Sequence, residues 1–142
     1  MTFKINVSNK GKTFKAETDD EDLVGLRIGE NIQGKSISQE LEGYELKITG
    51  TSDKAGFAGF VEYSGPNLKK VLLGYGKGMH KKPKGLKKVN KKPKGLRLRK
   101  TVRGNEISLD TVQINTLVVK EGNKKFGDLF EKKKEDAEEK KE

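Results

Sequence analysis

The chain is 142 residues long, carries 31 lysines and arginines against 21 acidic residues for a formal net charge of +10, and is only 31% hydrophobic; that length suits one domain, or one domain with tails. It has no cysteine and a single histidine, His80, which excludes disulfides, thiolate metal centres and a histidine-based zinc site. No apolar run approaches the length of a membrane span and the N-terminus lacks the apolar core of a secretion signal, so the expected compartment is the cytoplasm.

Phe3, Ile5 and Val7 alternate with Lys4 and Asn6, and Phe14 and Ala16 alternate likewise after Ser8, Asn9, Lys10 and Gly11. Alternation on both sides of an Asn/Gly turn predicts a β-hairpin. The acidic run Asp19, Asp20, Glu21, Asp22 precedes Leu23, Val24, Leu26 and Ile28, which suits a short helical turn because carboxylates favour the positive end of a helix; Gly25 and Gly29 limit it. Tyr44, Leu46 and Ile48 alternate with Glu45, Lys47 and Thr49 and predict a half-buried strand bracketed by Gly43 and Gly50. Val71, Leu72 and Leu73 predict a short buried strand ended by Gly74. Val112, Ile114, Thr116 and Val118 share one face of a longer strand, with Leu117 and Val119 on the other, so its end is expected to be covered on both sides. Short strands with glycine-rich turns and no long amphipathic helix predict a mainly β chain, a small closed β-barrel. In the tail, Phe126, Leu129 and Phe130 have the spacing of one helical face, and the residues from Glu131 to Glu142 are almost wholly Lys, Glu and Asp with the two signs balanced over the tail. This predicts a short C-terminal helix docked by its first turn, although the composition fits a disordered tail equally well. The expected division is a barrel from residues 1–74 and 101–121, a basic arm at 75–100 inserted between its strands, and a charged helix or tail at 122–142.

The charge is local. From Tyr63 to Asn105 there is no acidic residue, yet the stretch holds Lys69, Lys70, Lys77, Lys81, Lys82, Lys84, Lys87, Lys88, Lys91, Lys92, Lys94, Arg97, Arg99, Lys100 and Arg103. The rest of the chain is net acidic. Such a run repels itself unless neutralised, and the strongest cellular polyanion is nucleic acid, whose phosphates release condensed counterions when they meet lysine or arginine. These residues, with His80, are therefore the candidate RNA-contacting set. Within the run, Lys81–Lys82–Pro83–Lys84–Gly85–Leu86 recurs ten residues later as Lys91–Lys92–Pro93–Lys94–Gly95–Leu96. Proline and glycine disfavour a continuous helix or central strand there, leaving a stiffened basic arm able to follow a phosphate track. Lysine suits phosphates, whereas the planar guanidinium groups of Arg97, Arg99 and Arg103 suit bidentate or stacked contacts. Only Tyr75 borders the region among aromatics, which argues against a base-stacking platform and for recognition of folded RNA or duplex backbone by shape and charge. The bland alternative is a solvated charge run with no specific partner. A membrane surface fits poorly, because Leu86, Val89, Leu96 and Leu98 are too sparse to anchor it.

Catalytic candidates do not assemble. Gly74–Tyr75–Gly76–Lys77–Gly78 matches neither phosphate-loop spacing and reads as an exit from a strand, though its N–H groups could touch an RNA phosphate. The acids at 19–22 read as a solvated turn. His80 sits in the arm, a poor place to fix a general base. No enzyme activity, cofactor, metal or small-molecule substrate is expected.

The sequences Lys100–Thr101–Val102–Arg103–Gly104–Asn105 and Val112–Gln113–Ile114–Asn115, supported by GYELKITG at 43–50, SDKAGF at 52–57 and VLLG at 71–74, resemble the archaeal and eukaryotic small-subunit ribosomal protein six of the eukaryotic type, over residues 3–119. The resemblance implies a small β-barrel bound to small-subunit ribosomal RNA beside neighbouring ribosomal proteins, a cytoplasmic structural component of the ribosome with basic extensions entering the RNA. It makes the arm and the KTVRGN run RNA-contacting, and residues 52–57 a looser candidate loop. The chain departs from the family in three places. Ala58–Gly59 follow Phe57 where Pro-Met is common, the arm is lysine-rich where arginine is frequent, and no serine follows Ser108, so the serine-phosphorylated tail of eukaryotic members does not carry over. The competing expectation is a free-standing, sequence-nonspecific nucleic-acid-binding protein.

Overall fold

The computed structural model describes residues 2–83, 92–122 and 124–127. Part of the lysine repeat, with Lys84, Lys87, Lys88 and Lys91, and the tail residues Leu129 and Phe130 lie outside the described residues.

The predicted hairpin forms from β1 (Phe3–Asn9) and β2 (Lys12–Thr18). Lys10 and Gly11, at φ 45° and 83°, make its turn; two consecutive left-handed residues match the twist of the flanking strands. β3 (Asn31–Gln33) is a short edge strand, β4 runs over Glu45–Asp53, β5 over Leu68–Gly74, β6 over Arg97–Arg103 and β7 over Thr111–Lys120. Five of them form a curled sheet in the order β2-β1-β7-β4-β3. β7 lies parallel to β1 and antiparallel to β4, so the last strand is clamped between the first and the fourth. The acidic run forms a single 3-10 turn at Glu21–Leu23, where the Asp20 carboxylate accepts from the Asp22 N–H at 3.3 Å. The chain is thus mainly β, as expected.

The inward face of the sheet carries Phe3, Ile5, Val7, Phe14, Leu46, Ile48 and Ile114, joined by Leu23, Leu41, Tyr44 and Ile107 from the connections, all buried. Each such side chain contributes about 1.5–3 kcal/mol by leaving water. The start of the tail docks on this core: Phe126 is buried with its ring 6.4 Å from that of Tyr44, and the Tyr44 hydroxyl donates to the Lys124 carbonyl.

Three expectations are corrected. Gly50 does not end β4. The ladder to β7 shifts register between Ile48 and Gly50, with Thr49 Oγ1 donating to the Asn115 carbonyl at 3.0 Å. An extra residue in one strand exchanges its two faces, so beyond the bulge Thr51 and Asp53 point inward where Leu46 and Ile48 did before it. The outer face at the end of β7 is not covered: Leu117 is 46% and Val119 56% exposed. Nor is β5 a buried strand, since Leu68 is 45% and Leu72 51% exposed; it belongs to a two-stranded ribbon with β6, and a ribbon has no third layer to cover its outer face.

The ribbon is attached to the sheet by backbone. The Gly59 N–H donates to the Thr51 carbonyl of β4 at 3.0 Å, the Arg103 N–H of β6 to the Ala58 carbonyl at 3.0 Å, and the Phe60 N–H to the Arg103 carbonyl at 3.0 Å. This junction is tight. A Cβ on Gly104 would collide with the Gly65 carbonyl and press on that of Tyr63, both of them backbone that cannot swing aside. Gly104→Ala is expected to cost about 1–3 kcal/mol through overpacking, read as a lower denaturant midpoint at unchanged slope.

Candidate nucleic-acid interface

β5 and β6 pair antiparallel from Leu68 opposite Arg103 to Gly74 opposite Arg97. Directly opposed residues share a face, which sorts the ribbon by register. One face holds Leu68, Lys70, Leu72, Arg97, Arg99, Thr101 and, at its base, the buried Arg103; the other holds Lys69, Val71, Leu73, Leu98, Lys100 and Val102. On the second face Val102 is 1% exposed at the base and Leu73 and Leu98 are half-buried toward the tip, while Lys69 and Lys100 are exposed. On the first, Lys70, Arg97 and Arg99 are all exposed. The two strands therefore present exposed cations on both faces, with Lys70, Arg99 and Arg97 in a row along the first.

Beyond β5 the chain makes a hydrogen-bonded turn. Gly76 and Met79 exchange N–H···O bonds of 2.9 and 3.1 Å, with Lys77 and Gly78 at the tip. Gly78 packs against Phe60 and Leu73, and a Cβ there would come within 2.9 Å of the Phe60 ring. Met79 is fully buried. The GYGKG segment is thus a fixed turn seated on Phe60. The Lys77 ammonium stands 5.0 Å from the Phe60 ring centroid and that of Lys82 5.7 Å from Tyr75, with His80 edge-on to Tyr75 at 6.0 Å; cation–π attraction orients such lysines without neutralising them. His80, Lys81, Lys92 and Lys94 are exposed. Lys69, Lys70, Lys77, Lys81, Lys92, Lys94, Arg97, Arg99 and Lys100 make no ion pair among the described residues, whereas Lys10, Arg27 and Lys120 on the sheet side each face a glutamate.

Arg103 stands apart from this set. It is 8% exposed. Its Nε donates to Asp53 Oδ2 at 3.0 Å, and its Nη1 donates to the Pro66 carbonyl at 2.9 Å, to Ser108 Oγ at 3.3 Å and to Asp110 Oδ2 at 3.4 Å. Asp53 in turn accepts from the Phe57 N–H at 2.8 Å through Oδ1. One guanidinium thereby ties β4, the loop before β5 and the turn before β7 to β6, and its role is internal. Within KTVRGN, Lys100 faces solvent, while Val102, Arg103 and Gly104 are buried.

Residues 55–58 lie beside β6 across a cleft of about 430 Å³ whose walls include Phe57, Ala58, Arg99 and Lys100. The 52–57 loop and the basic ribbon are therefore neighbours. Phe57 and the largely buried Phe60 line this cleft, in a region that has only Tyr75 by sequence. No local pattern marks these positions; Thr49–Gly50 within an otherwise alternating strand is the one available sign of the bulge. Among the described residues no group of three or more His, Asp and Glu side chains could hold a metal.

The family model described as "Ribosomal protein S6e" matches residues 1–131. The chain belongs to the ribosomal protein S6e family. Among its relatives, a protein of Methanococcus maripaludis named small ribosomal subunit protein eS6 is 45% identical over 129 residues, covering 89% of this chain and 94% of the relative. Proteins of the same name from Methanobrevibacter smithii and Methanosphaera stadtmanae are 41% and 39% identical, covering 92% and 98% of this chain and 93% and 100% of the relatives. The family resemblance read from KTVRGN and VQIN is thereby established, and the motif's buried half is part of the scaffold that carries the basic ribbon.

Proposed function

We propose that the chain is a structural constituent of the small ribosomal subunit that binds and stabilises folded ribosomal RNA through the lysine/arginine-rich segment between β5 and β6. The observation that carries this reading is the exposed, acid-free row of cations on a ribbon rooted in the sheet, in a chain whose relatives are named as small-subunit proteins. Cations set between RNA helices screen phosphates that would otherwise repel. The contacting set is Lys69, Lys70, Lys77, His80, Lys81, Lys82, Lys84, Lys87, Lys88, Lys91, Lys92, Lys94, Arg97, Arg99 and Lys100; we leave Arg103 to the scaffold. Lysines supply phosphate neutralisation, and Arg97 and Arg99 supply planar contacts. The reading implies a cytoplasmic, non-enzymatic protein with ribosomal RNA and neighbouring ribosomal proteins as partners, and no small-molecule substrate.

It also retains the division into a barrel (1–74 and 101–121), an arm (75–100) and a tail (122–142). The curl of the sheet and the bridge between Arg27 and Glu106 favour closure into a barrel, and the docked Phe126 favours a helix beginning there. Co-sedimentation separates this reading from a free-standing nucleic-acid binder: retention in salt-washed small subunits is expected, and recovery with chromatin instead would overturn it.

A further inference from the structure

A groove of about 590 Å³ is lined by Val24, Pro66, Ile107 and Leu109 together with Arg103, Glu106 and Asp110. Leu109 is 56% and Val24 37% exposed. Both occupy turn positions. Val24 ends the 3-10 turn at Glu21–Leu23, and Leu109 sits in a turn closed at both ends, the Ser108 N–H donating to Thr111 Oγ1 at 3.2 Å and the Thr111 N–H to the Ser108 carbonyl at 2.9 Å. Such turns favour glycine, asparagine, aspartate and serine, and neither side chain is needed to fill the core. The apolar edges of this groove are thus held rigidly toward solvent by backbone that folding already fixes.

The electrostatics of the groove are opposite to those of the ribbon. Glu106 and Asp110 line it, and the exposed Glu21 and Asp22 precede Val24. The cations nearby are already engaged, Arg27 with Glu106 at 3.4 Å and Arg103 with Asp53 and Asp110. Because Arg103 is shared between Asp53 and Asp110, and Glu21 and Asp22 are exposed beside Val24, the surroundings stay net negative: an RNA phosphate gains nothing here, whereas a cationic partner does.

We propose that this groove docks a lysine- or arginine-bearing, apolar extended segment of another protein, its apolar side chains lying between Val24 and Leu109 and its cations against Glu21, Asp22, Glu106 and Asp110. The area is that of a small, reversible contact. This holds whether or not the ribbon binds RNA.

The test is amide NMR on the full-length, isotope-labelled protein titrated with a short synthetic peptide alternating lysine and leucine, with a lysine–serine peptide of equal charge, and with a short RNA duplex. The lysine–leucine peptide is expected to shift the amides of Val24, Ile107, Leu109 and Asp110, and Leu109→Lys to weaken it by about tenfold or more, as loss of one buried leucine and gain of a like charge require. The lysine–serine peptide should bind weaker by a similar factor. Unshifted groove amides, equal binding by Leu109→Lys or by the serine peptide, or groove shifts caused by the RNA would each overturn the proposal. Because Leu109 is exposed, an unchanged melting temperature of Leu109→Lys confirms that folding is not the cause. Absence of RNA-induced shifts in β5 and β6 would count against the ribbon's RNA contact and not against the groove.

Discussion

Deleting residues 81–94 is expected to remove most RNA binding while leaving the fold intact. The ribbon closes at Gly74 opposite Arg97, so the deletion lies wholly beyond the paired strands. Met79, which seats the preceding turn in the core, is retained. If about six to ten phosphates are engaged by the intact protein, raising salt from about 50 to about 200 mM costs it roughly a thousand- to hundred-thousand-fold in affinity. A subtler variant measures the ribbon itself. Replacing Lys70, Arg97 and Arg99 with glutamine removes three exposed cations from one face. It should flatten the slope of log affinity against log salt by about 2–3, as each duplex phosphate contact contributes about 0.9. Filter binding over a salt series reads both, and an unchanged slope in either variant would place the RNA contact elsewhere on the protein.

Arg103→Ala is expected to do the reverse, unfolding the protein at temperatures where the glutamine variant survives. The Arg103 and Asp53 side chains are only 9% and 2% exposed, and removing one partner of a buried pair leaves the other charge desolvated, at about 3–5 kcal/mol. For a chain of this size that is a fall in melting temperature of roughly 10–20 °C. The loss exceeds that of one ion pair because Nη1 also satisfies the Pro66 carbonyl. The double variant Asp53→Asn with Arg103→Ala should cost less than the sum of the two single changes, since the stranded charge is gone. Below its melting point Arg103→Ala should keep the parent's salt slope. A calorimetric loss under about 1 kcal/mol would mean that the pair is not coupled to folding.

The contrast between Lys100 and Arg103, three positions apart in one motif, shows where sequence reading stops. Alternation found β1, β2 and the first half of β4 because a half-buried strand with a period of two leaves a local trace. The acidic turn before Leu23 was legible for a similar reason, a short-range carboxylate-to-amide bond. The bulge at Thr49–Gly50 carries only a faint trace, yet it inverts which residues of β4 face inward and so brings Asp53 to Arg103. Leu72 and Val119, apolar and expected under cover, are exposed because no described residue stacks on the outer face of the two-stranded ribbon or of β7.

The acid-free stretch, the lysine repeat and the family motifs were determined by the sequence alone, since net charge and composition add along a chain irrespective of its shape. Which of those cations are available to a partner was decided only by tertiary structure. Exposure depends on strand register, on one extra residue in β4 and on an aspartate fifty positions away from the arginine it holds, and none of these is a local property of the chain.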